Sequence, residues 1–431
     1  VQYIGGGLFR GTISIIDPPD DRMAGVYSKA VYANTPYTKE NELSSEGEAG
    51  NPIPRKVGDL SPIKYVFYII KENRTYDQIL GDIPEGNGDP DLVLFGEKVT
   101  PNHHAIAREF VLLDNFYVNG EVSAAGHNWT MGAYATDYLE KNWPTSYGNR
   151  GGTYPGEGAR EVANNKVFFW DMCKQKGVSY RTYGEFVSDG RPTLAVLHNN
   201  YCRDFTGWDE SIRDTVRFYQ WKHDFDSLLA INAVPRFNTV RFINDHTQGL
   251  SLGKPTPFAH VADNDLALGM FVDYLSHSPI WNETLIISVE DDAQNGPDHV
   301  DAHRSIALLA GGFVKKGFVD HTPYTTTSLL RTMELVLGLP PMTQYDAAAN
   351  SLWRCFNTTS GHPPYKYRPA NIDLNEKNTG QNRWQALSET FDFSVEDRVN
   401  DFDFNEVIWR SVKGLDSPCP PSVRAAFLAP F

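Results

Sequence analysis

The chain has 431 residues, long enough for one large α/β domain or two ordinary ones. Hydrophobic residues make up 41% and aromatics 13%, which supplies a core and excludes global disorder. A formal net charge of -15 argues against a duplex nucleic-acid binder, because phosphate backbones need stripes of Lys and Arg. A phosphate ester can still bind where a metal supplies positive charge locally.

Residues 1–19 read as one strand: Gly5-Gly6-Gly7, then Thr12, Ile13, Ser14 and Ile15 in alternation, then a Pro18-Pro19 stop. A lone strand is unstable, so it joins a sheet elsewhere or closes a domain that is missing here. The chain opens on Val1 without a Met start or a signal peptide, which reads as a mature or truncated product. Residues 20–62, rich in Pro, Gly, Ser and Glu without periodicity, read as a linker or surface-wrapping segment.

The regular part begins near Lys64. Tyr65 to Ile70 is a continuous apolar run, as expected of a buried parallel strand, and it empties into Lys71-Glu72-Asn73-Arg74. A helix is expected over 163–176 and a strand over Val178 to Tyr183. A buried strand from Val240 to Ile243 ends in Asn244-Asp245-His246. A helix from Asp263 to Ser276 follows, with Leu266, Met270 and Tyr274 at helical spacing. The strand Thr284 to Val289 ends in Glu290-Asp291-Asp292. A strand over 304–310 and a helix over 326–338, closed by Gly338 and Pro340, complete the pattern. Residues 365–431 read as an irregular tail with one helix over 404–413. Alternating strands and helices imply a mostly parallel sheet covered on both faces. No apolar run reaches the roughly 18 residues a membrane-spanning helix needs. Cys173, Cys202, Cys355 and Cys419 form no CxxC pair; two disulfides and four buried thiols are both open readings.

Three strands therefore end in acid or amide clusters: Glu72-Asn73, Asp245-His246 and Asp291-Asp292. Any one would pass for a solvated turn. Three at corresponding ends of parallel strands converge on one face, and their hard oxygens suit magnesium, calcium or manganese, with zinc also compatible. His127, His246, His260, His299 and His303 stand beside acids or glycines, the last two in Asp298-His299-Val300-Asp301-Ala302-His303. For a nucleophile, the turn Trp143 to Arg150 offers Thr145 and Ser146 ahead of an amide and a guanidinium, and Ser123 is a rival close to His127.

At these residues the chain resembles a known group. Glu72-Asn73-Arg74-Thr75-Tyr76-Asp77 is similar to the signature of the phosphoesterase family that holds bacterial phospholipases C and an acid phosphatase, within the alkaline-phosphatase superfamily. Gly126-His127, Asn244-Asp245-His246, Ser278-Pro279-x-Trp281-x-x-Thr284-Leu285, the spacing from Asp291-Asp292 to Asp298-His299-Val300, and the block from Thr327 to Thr332 match in order. The resemblance covers residues 63–357. It implies an alkaline-phosphatase-like three-layer α/β/α sandwich, with a catalytic domain over 63–364 and a packed tail over 365–431.

By the same resemblance, Glu72, Asn73, Asp291 and Asp292 bind a divalent metal. Asp292 stands where the family usually has Glu. The family nucleophile lies three residues before an Asn-Arg pair, which falls on Ser146; Gly148 replaces the usual Pro, so Thr145 stays open. His127, Asp245, His246 and His260 would contact phosphate or move protons. From the residues themselves, the Arg150 guanidinium would clamp phosphate oxygens, and His299, Asp301 and His303, with Asp298 beside them, would brace the first metal or hold a second. The opening strand resembles the last strand of a YncE-like β-propeller, which implies a propeller partner in one precursor and a periplasmic, secreted or cell-surface bacterial location. The expected activity is metal-dependent hydrolysis of phosphate esters through a phosphoseryl intermediate. A phospholipase C acting on headgroups and a non-catalytic surface-binding module are the alternatives. No Cys-x-Pro-x-Arg sulfatase signature occurs.

Overall fold

The computed structural model describes residues 13–423 except 36, 149, 153 and 395–397. Seven strands form the central sheet: β1 (Tyr65–Lys71), β2 (Val111–Leu113), β3 (Tyr180–Tyr183), β4 (Phe237–Arg241), β5 (Thr284–Glu290), β6 (Ala307–Gly311) and β7 (Phe318–Asp320). Their order is β7-β2-β6-β5-β1-β4-β3. Only β6 among them runs against the rest, antiparallel to both β5 and β2. The sheet is thus mostly parallel, as the alternating pattern requires.

The helices that matter below are α1 (Asp21–Asn34), α2 (Tyr76–Leu80), α3 (Pro101–Glu109), α4 (Ser123–Gly132), α5 (Asp137–Ser146), α6 (Phe169–Lys176), α7 (Asp214–Ala230), α8 (Pro257–Ser276), α9 (Thr326–Leu337), α10 (Arg383–Ser388) and α11 (Asp401–Lys413). Side chains alternate across a strand, so neighbours on β1 report the two layers. Phe67 packs edge-on against Trp221 and Phe225 of α7 and Phe271 of α8. Val66, on the opposite face, is in register with Phe237, whose ring lies 4.5 Å from Phe169 of α6. Helices therefore cover both faces. Asp265 of α8 accepts the Asn102 and His103 backbone N–H groups at the head of α3, which ties those two helices together.

Several elements depart from the sequence reading. The expected first strand falls partly on residues 1–12, outside the described residues, and residues 13–20 carry no regular structure. The stretch read as aperiodic begins with helix α1, capped by Asp20, whose carboxylate accepts from Met23 N. After it the chain wraps onto the domain: Arg331 donates to the Glu42 and Ser44 carbonyls, and Asn51 to that of Trp353. Helix α6 starts at Phe169, with only a 3-10 turn at Glu161–Ala163 before it. Helix α8 starts six residues earlier than expected, on Pro257, with Thr256 as its cap. Strand β4 covers Phe237–Arg241 rather than 240–243. Among the described residues, the tail carries two helices, α10 and α11. All four cysteines are unpaired thiols, so the disulfide reading is not met. No helix among the described residues is long and apolar enough to cross a membrane.

Candidate active site

The three acid-bearing strand ends are neighbours. Lys71 is in register with Glu290 across β1 and β5, and Ile70 with Arg241 across β1 and β4. Each chain leaves the sheet through a left-handed residue: Asn73 at φ 66°, Thr247 at 69°, Gln294 at 40°. Asn tolerates that region, whereas a β-branched Thr adopts it only under tertiary constraint, which is common beside functional sites.

Glu72, Asp291 and His127 present ligand atoms within 4.8 Å of one another, all three buried. His127 Nε2 lies 3.5 Å from both Glu72 Oε1 and Asp291 Oδ2. One atom of the Asn73 amide lies 3.1 Å from Ser123 Oγ, Asp291 Oδ1 and Asp292 Oδ1. Oxygens so crowded repel unless an amide NH2 or a cation sits among them. The donor set, carboxylates with one amide and one imidazole, fits a divalent cation. Gly126 allows the convergence: a Cβ there would stand 2.6 Å from the Asp291 carbonyl oxygen.

The hydroxyl delivered to the acids is Ser123. Its Oγ donates to Asp292 Oδ2 at 2.9 Å, and it is the first residue of α4. Ser146 instead donates to the Trp143 carbonyl of its own helix, Thr145 is exposed, and the exposed Arg150 donates to the Pro144 carbonyl. What the 143–150 turn does supply is Tyr147, whose hydroxyl accepts from Ala124 N at the head of α4.

Arg241 was not singled out from the sequence. Fully buried, it donates to Glu72 Oε1 at 2.7 Å and to Glu157 Oε1 at 2.7 Å, and its Nη2 lies 2.8 Å from His127 Nε2. Its strand reads Phe-Asn-Thr-Val-Arg; a basic residue ending a wholly buried strand was the available signal. Glu185, also missed, takes His127 Nδ1 at 3.0 Å. Burial by itself would lower the His127 pKa, but Glu185 and the acids behind it outweigh burial and Arg241 and hold it well above the usual range.

Asp245 braces the site. Its Oδ1 accepts the Glu72 backbone N–H, and its Oδ2 lies 2.8 Å from Lys71 Nζ, which also meets Glu290 at 2.6 Å. Burial, with Glu290 adding to it against the pull of Lys71, pushes Asp245 up to about 7. His246 turns away to Glu210 at 2.9 Å and packs against Trp208 and Phe404. His260 lies on α8 in a separate cavity with Glu210. Asp298 and His299 join Asp77 around Arg304, whose guanidinium bonds both acids, so their carboxylates are held by an internal cation. His303 bonds Asp301 and Glu121. A groove of about 780 Å³ leads to Glu157 past Trp208, Phe205, Arg160 and Arg203. The Arg241 guanidinium lies 5.6 Å from the centre of the Trp208 ring.

A model of the Phosphoesterase family matches residues 91–340, more than half of the chain. An acid phosphatase of Aspergillus fumigatus is 23% identical over 375 residues, covering 81% of this chain and 72% of the fungal protein. Among solved structures, a protein of the alkaline phosphatase superfamily from Vibrio parahaemolyticus is 17% identical, with a TM-score of 0.48, over 73% of this chain and 76% of its own. Human ectonucleotide pyrophosphatase/phosphodiesterase 5 is 11% identical, with a TM-score of 0.42, over 68% of this chain and 100% of its own. The chain is a phosphoric ester hydrolase built on a mixed α/β fold. It belongs to the phosphoesterase family.

Proposed function

We propose that the chain hydrolyses phosphate esters with Ser123 as nucleophile, in a site that holds a divalent metal on Glu72, Asp291, Asp292 and Asn73. The observation that carries this is the 2.9 Å contact of Ser123 Oγ with Asp292 Oδ2. A bound cation would lower the serine pKa and offset the charge on the phosphoryl group. Ser123 Oγ, giving its proton to a neighbouring acid, attacks phosphorus while the bond to the leaving oxygen breaks. His127, whose Nδ1 is held by Glu185, and Arg241 face the same acids and are sited to receive the phosphoryl oxygens. The leaving alkoxide takes up a proton, and water then cleaves the phosphoserine. Substrate enters by the Trp208 groove.

The test compares p-nitrophenyl phosphate turnover in the wild type, Ser123→Ala and Ser146→Ala. Loss of a nucleophile costs on the order of 10⁴-fold or more in kcat. Ser123→Ala should fall by that much, and Ser146→Ala should stay within about threefold of wild type. The opposite pattern would return the nucleophile to the 143–150 turn.

A further inference from the structure

A cavity of about 320 Å³ lies between the 244–260 segment and the tail. Its floor is Glu210, Gln248 and His260, which are 5%, 6% and 2% exposed. Among the described residues, neither ring nitrogen of His260 has a hydrogen-bond partner, nor do Glu210 Oε2 and Gln248 Oε1. Its rim carries the cations of Arg213, Lys254 and Lys377, the two lysines exposed. Of its two acids, Glu210 is engaged by His246 and Asp263 by Thr215 and Asn244. A lysine-rimmed hollow stands out on a chain of net charge -15.

We infer that this cavity is a second ligand site, distinct from the metal centre, for a small hydroxylated anion. The anionic end meets Lys254 and Lys377 at the rim. The hydroxyls donate to Glu210 Oε2 and Gln248 Oε1, and His260 offers one donor and one acceptor in its neutral form. A simple anion leaves the floor acceptors unanswered, and a neutral polyol leaves the rim cations unanswered. The volume suits such a molecule.

Calorimetry with 2,3-dihydroxypropane-1-sulfonate tests this, because a sulfonate is a poor metal ligand and cannot be hydrolysed as a phosphate ester. One-to-one binding is expected, at least about tenfold tighter than that of methanesulfonate or glycerol. The Lys254→Glu/Lys377→Glu double variant, changed only at exposed side chains, should weaken it by about tenfold or more, as should His260→Leu. Asp291→Asn should leave it within about twofold. Absent binding, binding matched by either half-probe, or binding unaffected by the lysine reversals would overturn the site. Loss of binding in Asp291→Asn would assign the ligand to the metal centre instead.

Discussion

At the scale of single residues, the site depends on close approach and on burial. Gly126 is the point where α4 touches the end of β5. An added Cβ would meet Asp291 backbone atoms at 2.6 and 2.8 Å, and backbone cannot swing aside as a side-chain tip can. Gly126→Ala should therefore destabilise the fold by about 1–3 kcal/mol and displace Asp291. Urea unfolding together with turnover checks this; full activity at wild-type stability would show that the contact is dispensable.

His260 gives a pH signature. Burial draws its pKa from 6.5 down to about 3. Between those values the unfolded chain binds a proton that the folded chain does not. The contribution is complete above about pH 6.5 and is lost as pH falls, at up to about 1.4 kcal/mol per pH unit. His260→Leu should flatten that acid limb. Unfolding midpoints across roughly pH 5 to 7 measure it, and parallel curves for the two proteins would sink the idea.

At the scale of elements, strand ends aim the chemistry and helix heads complete it. Arg217 of α7 shows how the surroundings are fixed: it donates to the carbonyls of Thr206, Gly207, Asp209 and Ile212 and to Asp214, which in turn accepts from Asn244 N. One buried guanidinium thus sets the loop that carries Trp208 and Glu210. Helix α8 is started by Thr256, whose hydroxyl accepts from Ala259 N, with Pro257 in the first turn. Thr256→Ala should cost about 1 kcal/mol, read as a lower unfolding midpoint with kcat retained. The cap was visible in the sequence as Thr-Pro. The helix nonetheless reads as starting at Asp263 from the row Leu266, Met270 and Tyr274, although Phe258, Val261 and Ala262 carry the helical spacing back to the cap. Strand β4 was harder to see, since Asn238, Thr239 and Arg241 are buried polar residues that break an apolar run.

At the scale of the whole molecule, buried acids meet at the C-terminal ends of three adjacent interior strands, β5, β1 and β4. The metal site proposed above would be stabilised by the cation it holds. At a free metal concentration about 100 times Kd, binding adds about 2.7 kcal/mol to folding. Chelation with EDTA should therefore lower Tm by several degrees and abolish turnover, and returning the ion should restore both. A scan and an assay that EDTA leaves unchanged would remove the metal from the mechanism.

The acid cluster of the candidate site was legible because its residues follow directly on buried strands. Apolar runs over Tyr65 to Ile70 and Thr284 to Val289 determine the strands, and parallel pairing brings their ends together. The sequence by itself thus determined the fold class and the candidate cluster around Glu72 and Asp291. The hydroxyl was another matter. Ser123 and Asp292 are 169 residues apart, and the local cues, His127 near Ser123 and an Asn-Arg pair after Ser146, point to different hydroxyls. The same holds for Arg241, whose partners come from β1, α4 and the loop carrying Glu157. Only tertiary structure decided these, because hydrogen bonds of a few ångströms depend on how α4 docks against β5, and docking is set by packing across the whole domain.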